Sequence, residues 1–378
     1  MRKHKPDYWI LLVTLALMAV GLVVIFAIGP QRANFLNSAL GVEKYSDNSF
    51  FLHQLLSVGM SIIAFIVAMK VPIKWLNRYA KWIMLAAILM NALLAVLALM
   101  KSSFAICQLG GCRWIGSGSI SFQPAEFLKV ALVIYLADLM ARRKEEGKLD
   151  SFWEFWWPFI LVSGISLFFV VILQKDLGTG AAMIAIILAS LFISGVKLRY
   201  FGMALVAILV AGAMAILISP HRMERLTTFK GGGDSDSSYH IDNALLAIGT
   251  GGFWGVGVGN SVQATGYLPE SINDSVFAVM GETFGFFGLT LLILAFTFLL
   301  FRLLKMIPFL DDTLAIMVAG VFGWIASQLI VNVAAMTGLI PLTGITLPLL
   351  SYGGTSMMFV AYALGLTMQA SQYTRRQA

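Results

Sequence analysis

Charge is scarce in this chain: Asp, Glu, Lys and Arg together supply 12% of the 378 residues, about half the share found in an average soluble domain. A fold solvated by water on all sides is therefore excluded. Cysteine is nearly absent too, and the two present, Cys107 and Cys112, are too few for a disulfide framework or a cysteine-built zinc site. They share one polar loop, where a short-range disulfide and a pair of free thiols are both open. His53, His221 and His240 do not cluster in sequence, so spacing gives no metal cage. The formal charge of +7 is scattered between apolar runs instead of forming a stripe with interleaved aromatics, which excludes nucleic acid as a partner.

Apolar residues make up 59% of the chain, arranged in repeated runs near the length of about 20 residues that crosses a bilayer as a helix. The expected fold is an all-α polytopic membrane protein, a single integral domain over 1–378. Its ten transmembrane helices are expected at 8–28, 50–69, 82–100, 124–140, 157–173, 179–194, 201–218, 275–301, 313–336 and 354–368. The first run is too long for a cleavable signal peptide and reads as a retained helix.

With ten spans, alternate connections fall on opposite sides, and 17 of the 26 Lys and Arg gather on one of them. By the positive-inside rule this places both termini in the cytoplasm. The long connections 29–49, 101–123, 219–274 and 338–353 are then extracytoplasmic. The largest, 219–274, joins helices seven and eight; its GGGDSDSS stretch reads as disordered, and the apolar half after Asn243 is expected to lie on or dip into the membrane surface. The 338–353 segment is apolar yet interrupted by Pro341, Gly344 and Pro348, the pattern of a re-entrant loop packed against protein.

Ionisable groups within spans are costly, which makes each one a functional candidate. Glu126 and Lys129 stand one helical turn apart and can pair, as an internal strut or as part of a substrate site. Gln328 and Asn332, at i and i+4, suit hydrogen bonding between helices. Asp274 lies where the long loop becomes the eighth helix; it is either an N-cap or a carboxylate able to take a proton from a sugar hydroxyl. Glu270 and Glu282 flank it, and Glu282 lies deep enough to require protonation or hydrogen bonding. Arg113 and Trp114 put a planar cation and an aromatic on the outer face, suited to pyrophosphate and sugar or prenyl contacts, or to simple interfacial anchoring. Asp176 occupies a tight outer turn as a cap or a site group.

Several segments in order resemble the SEDS family (shape, elongation, division and sporulation) of bacterial cell-wall polymerases. They are RWI at Arg113, QPAEFLK at Gln123, QKDLGTG at Gln174, AIGTGGFWGVGVGNSVQ at Ala247, GYLPESINDSVFAVMGE at Gly266 and NVAAMTGLIPLTGITLPLLSYGGTS at Asn332. The resemblance spans nearly the whole chain. It implies a ten-helix peptidoglycan glycosyltransferase acting on lipid II, the undecaprenyl-pyrophosphate disaccharide peptide. The family's essential loop aspartate matches Asp274, its fourth-helix Glu and Lys match Glu126 and Lys129, and its outer-face Arg matches Arg113. A class B penicillin-binding protein transpeptidase and other division proteins are the implied partners. The 247–267 stretch looks more like the division-type FtsW branch than RodA, which implies a bacterial cytoplasmic-membrane protein enriched at the septum. Asn273 and Ser275 depart from the family pattern, which has Thr before the aspartate and an aromatic after it; Thr283 replaces a second Glu.

On this reading Asp274 is the general base of an inverting transfer. Arg113, with or without a divalent cation such as Mg²⁺ or Mn²⁺, neutralises the departing pyrophosphate, while Asp176, Glu270, Glu126 and Lys129 shape the substrate cavity. The rivals are a lipid II flippase and a scaffold that only recruits a transpeptidase.

Overall fold

A computed structural model describes residues 4–108, 110–117, 120–217, 223 and 236–374. Its helices are α1 (Tyr8–Leu40), α2 (Ser49–Lys70), α3 (Ile73–Leu99), α4 (Pro124–Glu145), α5 (Trp157–Leu167), α6 (Leu177–Ile193), α7 (Leu198–Leu217), α8 (Asp236–Thr250), α9 (Val276–Met306), α10 (Asp312–Met336) and α11 (Gly354–Ala370). Each expected span coincides with a helix in its described residues. Among the described residues six helical stretches are long and apolar enough to cross a membrane, and α6 and α7 add shorter apolar ones. Two helices, α4 and α10, are buried nearly all round and form the centre, against which α3, α6, α9 and α11 pack.

The expectation of an all-α chain needs correction. Residues in 101–123 form an antiparallel sheet of three strands, β1 (Ala105–Gln108), β2 (Gly111–Ser117) and β3 (Ile120–Phe122), in the order β1-β2-β3. β-branched and aromatic residues with a Gly110 turn at φ +75 favour such a hairpin, but these strands are too short to show their alternation clearly in sequence. Cys107 and Cys112 pair across it as a disulfide. Two boundaries also move. Helix α1 continues past Pro30 to Leu40 where a loop was expected, and the helical half of the long connection, α8, begins at Asp236. The rest of the GGGDSDSS stretch, 231–235, lies outside the described residues, as does His221.

The two ends of the bundle differ in chemistry. At one end the chain termini meet, with His4 N–H donating to Gln372 O at 2.8 Å and Asp7 N–H to Ser371 Oγ at 2.8 Å. Cations gather there: Arg302 on Asp7, Arg142 on Asp138 and on Asn77 O, Lys144 on Asp312, Lys197 on Asp150. Hydrogen bonding to Arg143 holds the Glu146 carboxyl below its usual range, and hydrogen bonding to Glu154 holds the Lys148 ammonium above its own. The other end carries the sheet, α8, and an irregular 338–353 segment whose Leu347, Leu349 and Leu350 are buried.

Helix α9 breaks at Gly285, whose φ of 67° and ψ of −166° suit only glycine. The break frees main-chain groups that the turn after α8 satisfies. Val256 N–H donates to Glu282 O at 2.9 Å and Gly257 N–H to Thr283 O at 3.1 Å, while Phe286 and Phe287 N–H donate to Gly252 O and Phe253 O at 2.9 and 3.2 Å. Within an apolar surrounding such pairing is what makes a broken helix tolerable. It also anchors α8 and its turn to the start of α9.

Candidate functional site

The functional candidates lie at the sheet-bearing end. Pro124 opens α4 in the position where its missing N–H costs nothing, and Gln123 stands at the N-cap. One turn in, Glu126 Oε1 meets Lys129 Nζ at 2.7 Å, with both side chains almost fully buried. The ammonium also lies 4.4 Å from the ring centre of Trp324 on α10, a cation–π contact that offsets part of its desolvation. These contacts link α4 to α10 one turn inside the start of α4.

Above it sits the Asp176 cluster. Asp176 caps α6, accepting from Thr179 N–H and Thr179 Oγ1, both at 2.9 Å, and from Gln123 Nε2 at 3.4 Å. Arg113 on β2 brings Nε to 3.9 Å from Asp176 Oδ2 and donates from NH2 to Lys175 O at 3.1 Å. Cap and site group are one residue here. The Arg113 side chain remains 19% exposed.

Asp274 lies across the same end and is 9% exposed. The N-cap of α9 is Ser275, one residue later than the cap reading of Asp274 required, and its hydroxyl makes no cap bond. A frame of main-chain bonds fixes the turn around the aspartate. Asn273 and Ser275 N–H both donate to Glu270 O, at 2.9 and 3.3 Å, and Tyr352 N–H donates to Ile272 O at 2.8 Å. Asn332 Nδ2, on α10, donates to Asp274 O at 2.8 Å and to Ile345 O at 2.7 Å. Glu270 turns its carboxylate to the Asn273 amide and holds φ at +48, so it shapes the turn. Glu282, one to two turns into α9, accepts from Ser261 Oγ at 2.5 Å and from Val262 and Gln263 N–H at 2.9 and 3.2 Å. Those donors satisfy a carboxylate, and they pin the turn that follows α8.

The 343–345 stretch joins the two groups. Ile345 O meets Asn332 beside Asp274, while a Cβ added to Gly178, two residues from Asp176, would fall 2.5 Å from Ile345 Cγ1 and 3.1 Å from Thr343 O. Glycine at 178 is what lets α6 and this stretch approach so closely. All four described non-glycine residues with positive φ, namely Lys101, Lys175, Glu270 and Leu349, also lie at this end. Backbone strain of that kind, about 1–3 kcal/mol each, concentrates at functional sites.

Several site residues were not legible as such from sequence. Asn91 and Gln174 are buried and bonded at 2.7 Å beneath the Asp176 turn, and His240 of α8, set aside because histidines do not cluster in sequence, reaches Ser275 Oγ at 2.6 Å. Buried Asn and Gln inside apolar runs were the available signal for the first two. Among the described residues no group of three or more His, Cys, Asp or Glu could hold a metal ion; the donor set does not fit a protein-held divalent cation. A cavity of about 580 Å³ lies at the far end of α9 among Lys5, Asp7, Arg302 and Lys305 and does not belong to this site.

A mostly helical, membrane-type bundle, with a frame of polar side chains at the end opposite its termini, is the class these features define. The family model described as "Cell cycle protein", FTSW_RODA_SPOVE, matches residues 8–376, and the chain belongs to that family. It is 32% identical over 381 residues to stage V sporulation protein E of Bacillus subtilis, covering 99% of both chains. It is 33% identical over 377 residues to the probable peptidoglycan glycosyltransferase FtsW of Nitrosomonas europaea, covering 97% of this chain and 93% of that one. Among solved structures, a chain of a complex described as "Structural coordination of polymerization and crosslinking by a peptidoglycan synthase complex" superposes with a TM-score of 0.74, 22% identity and 97% coverage of each chain. The rod shape determining protein RodA of Thermus thermophilus gives 0.69, 22% identity and 98% coverage of each. The fold is RodA-like.

Proposed function

We propose that this chain is a peptidoglycan glycosyltransferase that polymerises lipid II into glycan strands at the outer face of the bacterial cytoplasmic membrane. The observation that carries the reading is the frame around Asp274, joined through 343–345 to the Arg113–Asp176 cluster. Curated relatives bearing the name of that enzyme, at 29–33% identity over nearly the full chain, support it.

In the proposed reaction the Asp274 carboxylate takes the proton of the acceptor sugar's 4-hydroxyl as that oxygen bonds the donor's anomeric carbon. The bond from that carbon to pyrophosphate breaks, and prenyl pyrophosphate leaves with the electron pair. Attack opposite the leaving group inverts the centre. One carboxylate suffices because the leaving group needs no proton, unlike a glycosidase that pairs two carboxyls across the bond. Arg113 neutralises charge on the departing pyrophosphate. Asp176 orients Arg113, Glu270 shapes the Asp274 turn, and Glu126 with Lys129 supports the cavity floor. Since Asp274 is covered, 338–353 or α8 gives way when the sugars enter.

The proposed topology has ten spans, α1–α7 and α9–α11, in one domain over 1–378, with both termini cytoplasmic, and 219–274 and the re-entrant 338–353 outside. The joined termini and the cation-rich end support it. A class B penicillin-binding protein is the proposed partner, in keeping with a structural neighbour described as part of a polymerising and crosslinking complex. The FtsW relatives favour septal action with division proteins over side-wall elongation.

Purified chain in liposomes, alone and with candidate transpeptidases, given labelled lipid II, tests the reading. Strand products resolved by gel are expected. Translocation without strands would establish a flippase instead, and strands unaffected by loss of Asp274 would leave a scaffold role.

A further inference from the structure

We infer that His240 is a positioning residue for Asp274, acting through Ser275; this rests on Asp274 being the base. Ser275 Oγ lies 2.8 Å from Pro269 O, which can only accept, so the single hydroxyl proton points there. The remaining neighbour, His240 Nε2 at 2.6 Å, must then carry a proton and donate to the hydroxyl oxygen. Nε2 is then a protonated nitrogen, whatever Nδ1 carries.

The resulting chain from His240 to Ser275 to Pro269 closes the 269–275 turn from the α8 side. It completes a frame held on its other sides by Asn332 from α10 and Tyr352 from the 338–353 segment. His240 and Ser275 are both buried, at 8% and 0% exposure, so water does not replace either bond freely. Where the family resemblance calls for an aromatic after the aspartate, the serine offers a hydroxyl, and a histidine on a separate helix meets it. Helix α8 is in turn tied to α9 through the Glu282 and Gly285 contacts, so the donor is held by a rigid element.

Steady-state kinetics on lipid II of the full chain in liposomes, with its transpeptidase where strand synthesis requires one, tests this. Variants are H240L, H240Q, S275A, H240L/S275A and D274N. H240L, which keeps the volume and removes the donor, is expected to lower kcat on the order of 10- to 100-fold with KM nearly unchanged, the cost of a misplaced catalytic group. H240Q, whose amide nitrogen sits near the place of Nε2, restores most of it. The double variant is expected to be no slower than the slower single one, because both remove the same bond. H240L with full kcat beside an inactive D274N would overturn the latch and leave the base assignment standing. An active D274N would remove both. Should H240L fold poorly, an S275A kcat equal to that of the parent would equally contradict the inference.

Discussion

The side-chain amide of Asn332 donates to the main-chain oxygen of Asp274 at 2.8 Å, and the same nitrogen reaches Ile345 O at 2.7 Å. One side chain of α10 thereby sets the distance between the start of α9 and the irregular segment above it. N332L, which keeps the volume and removes the donor, leaves two buried carbonyls unpaired at about 1–3 kcal/mol each. The expected outcome is slower strand synthesis and lower thermal stability, checked by lipid II turnover and melting in the same detergent.

The Glu126–Lys129 pair makes a signed prediction. Removing one partner of a buried ion pair strands the other charge at about 3–5 kcal/mol, whereas removing both costs much less. E126Q alone is therefore expected to lower the melting temperature more than E126Q/K129M, since the latter leaves no buried ammonium over Trp324. Thermal scans of the three proteins check the order.

Gly178 is expected to accept no side chain. In G178A the added methyl meets Ile345 and the Thr343 carbonyl, so the 343–345 stretch shifts and the two halves of the site part. Activity is expected to fall on the order of 100-fold, the usual cost of displacement by about 1 Å, while α6 itself, a better helix with alanine than glycine, stays folded. Turnover beside circular dichroism separates the two effects.

The Cys107–Cys112 bridge holds the β1–β2 hairpin that carries Arg113. Reduction is expected to speed amide hydrogen exchange in 105–117 and leave α4 and α10 unchanged, read by exchange mass spectrometry with and without reductant.

Sequence and structure agree where the physics is local or dominated by solvent. Apolar runs marked where helices form in the described residues, because repeated apolar length favours them, and the i, i+3 spacing of Glu126 and Lys129 predicted their contact. What escaped depended on distant partners. The strands at 105–122 are short, so their pairing has little signature. The extension of α1 past Pro30 and the Ser275 cap in place of Asp274 are boundary matters that packing settles. His240 meets Ser275 only because α8 folds back onto α9, a contact 35 residues apart that no spacing rule marks.

The central claim is that the Asp274 carboxylate removes a proton from the acceptor sugar. D274N replaces one oxygen by an amide of the same size and leaves the Asn332 bond to the main chain intact. Its single-turnover rate on labelled lipid II in liposomes is therefore the most direct measurement: the account predicts a properly folded protein that forms no glycan strands. Strand formation at the parent rate would contradict it.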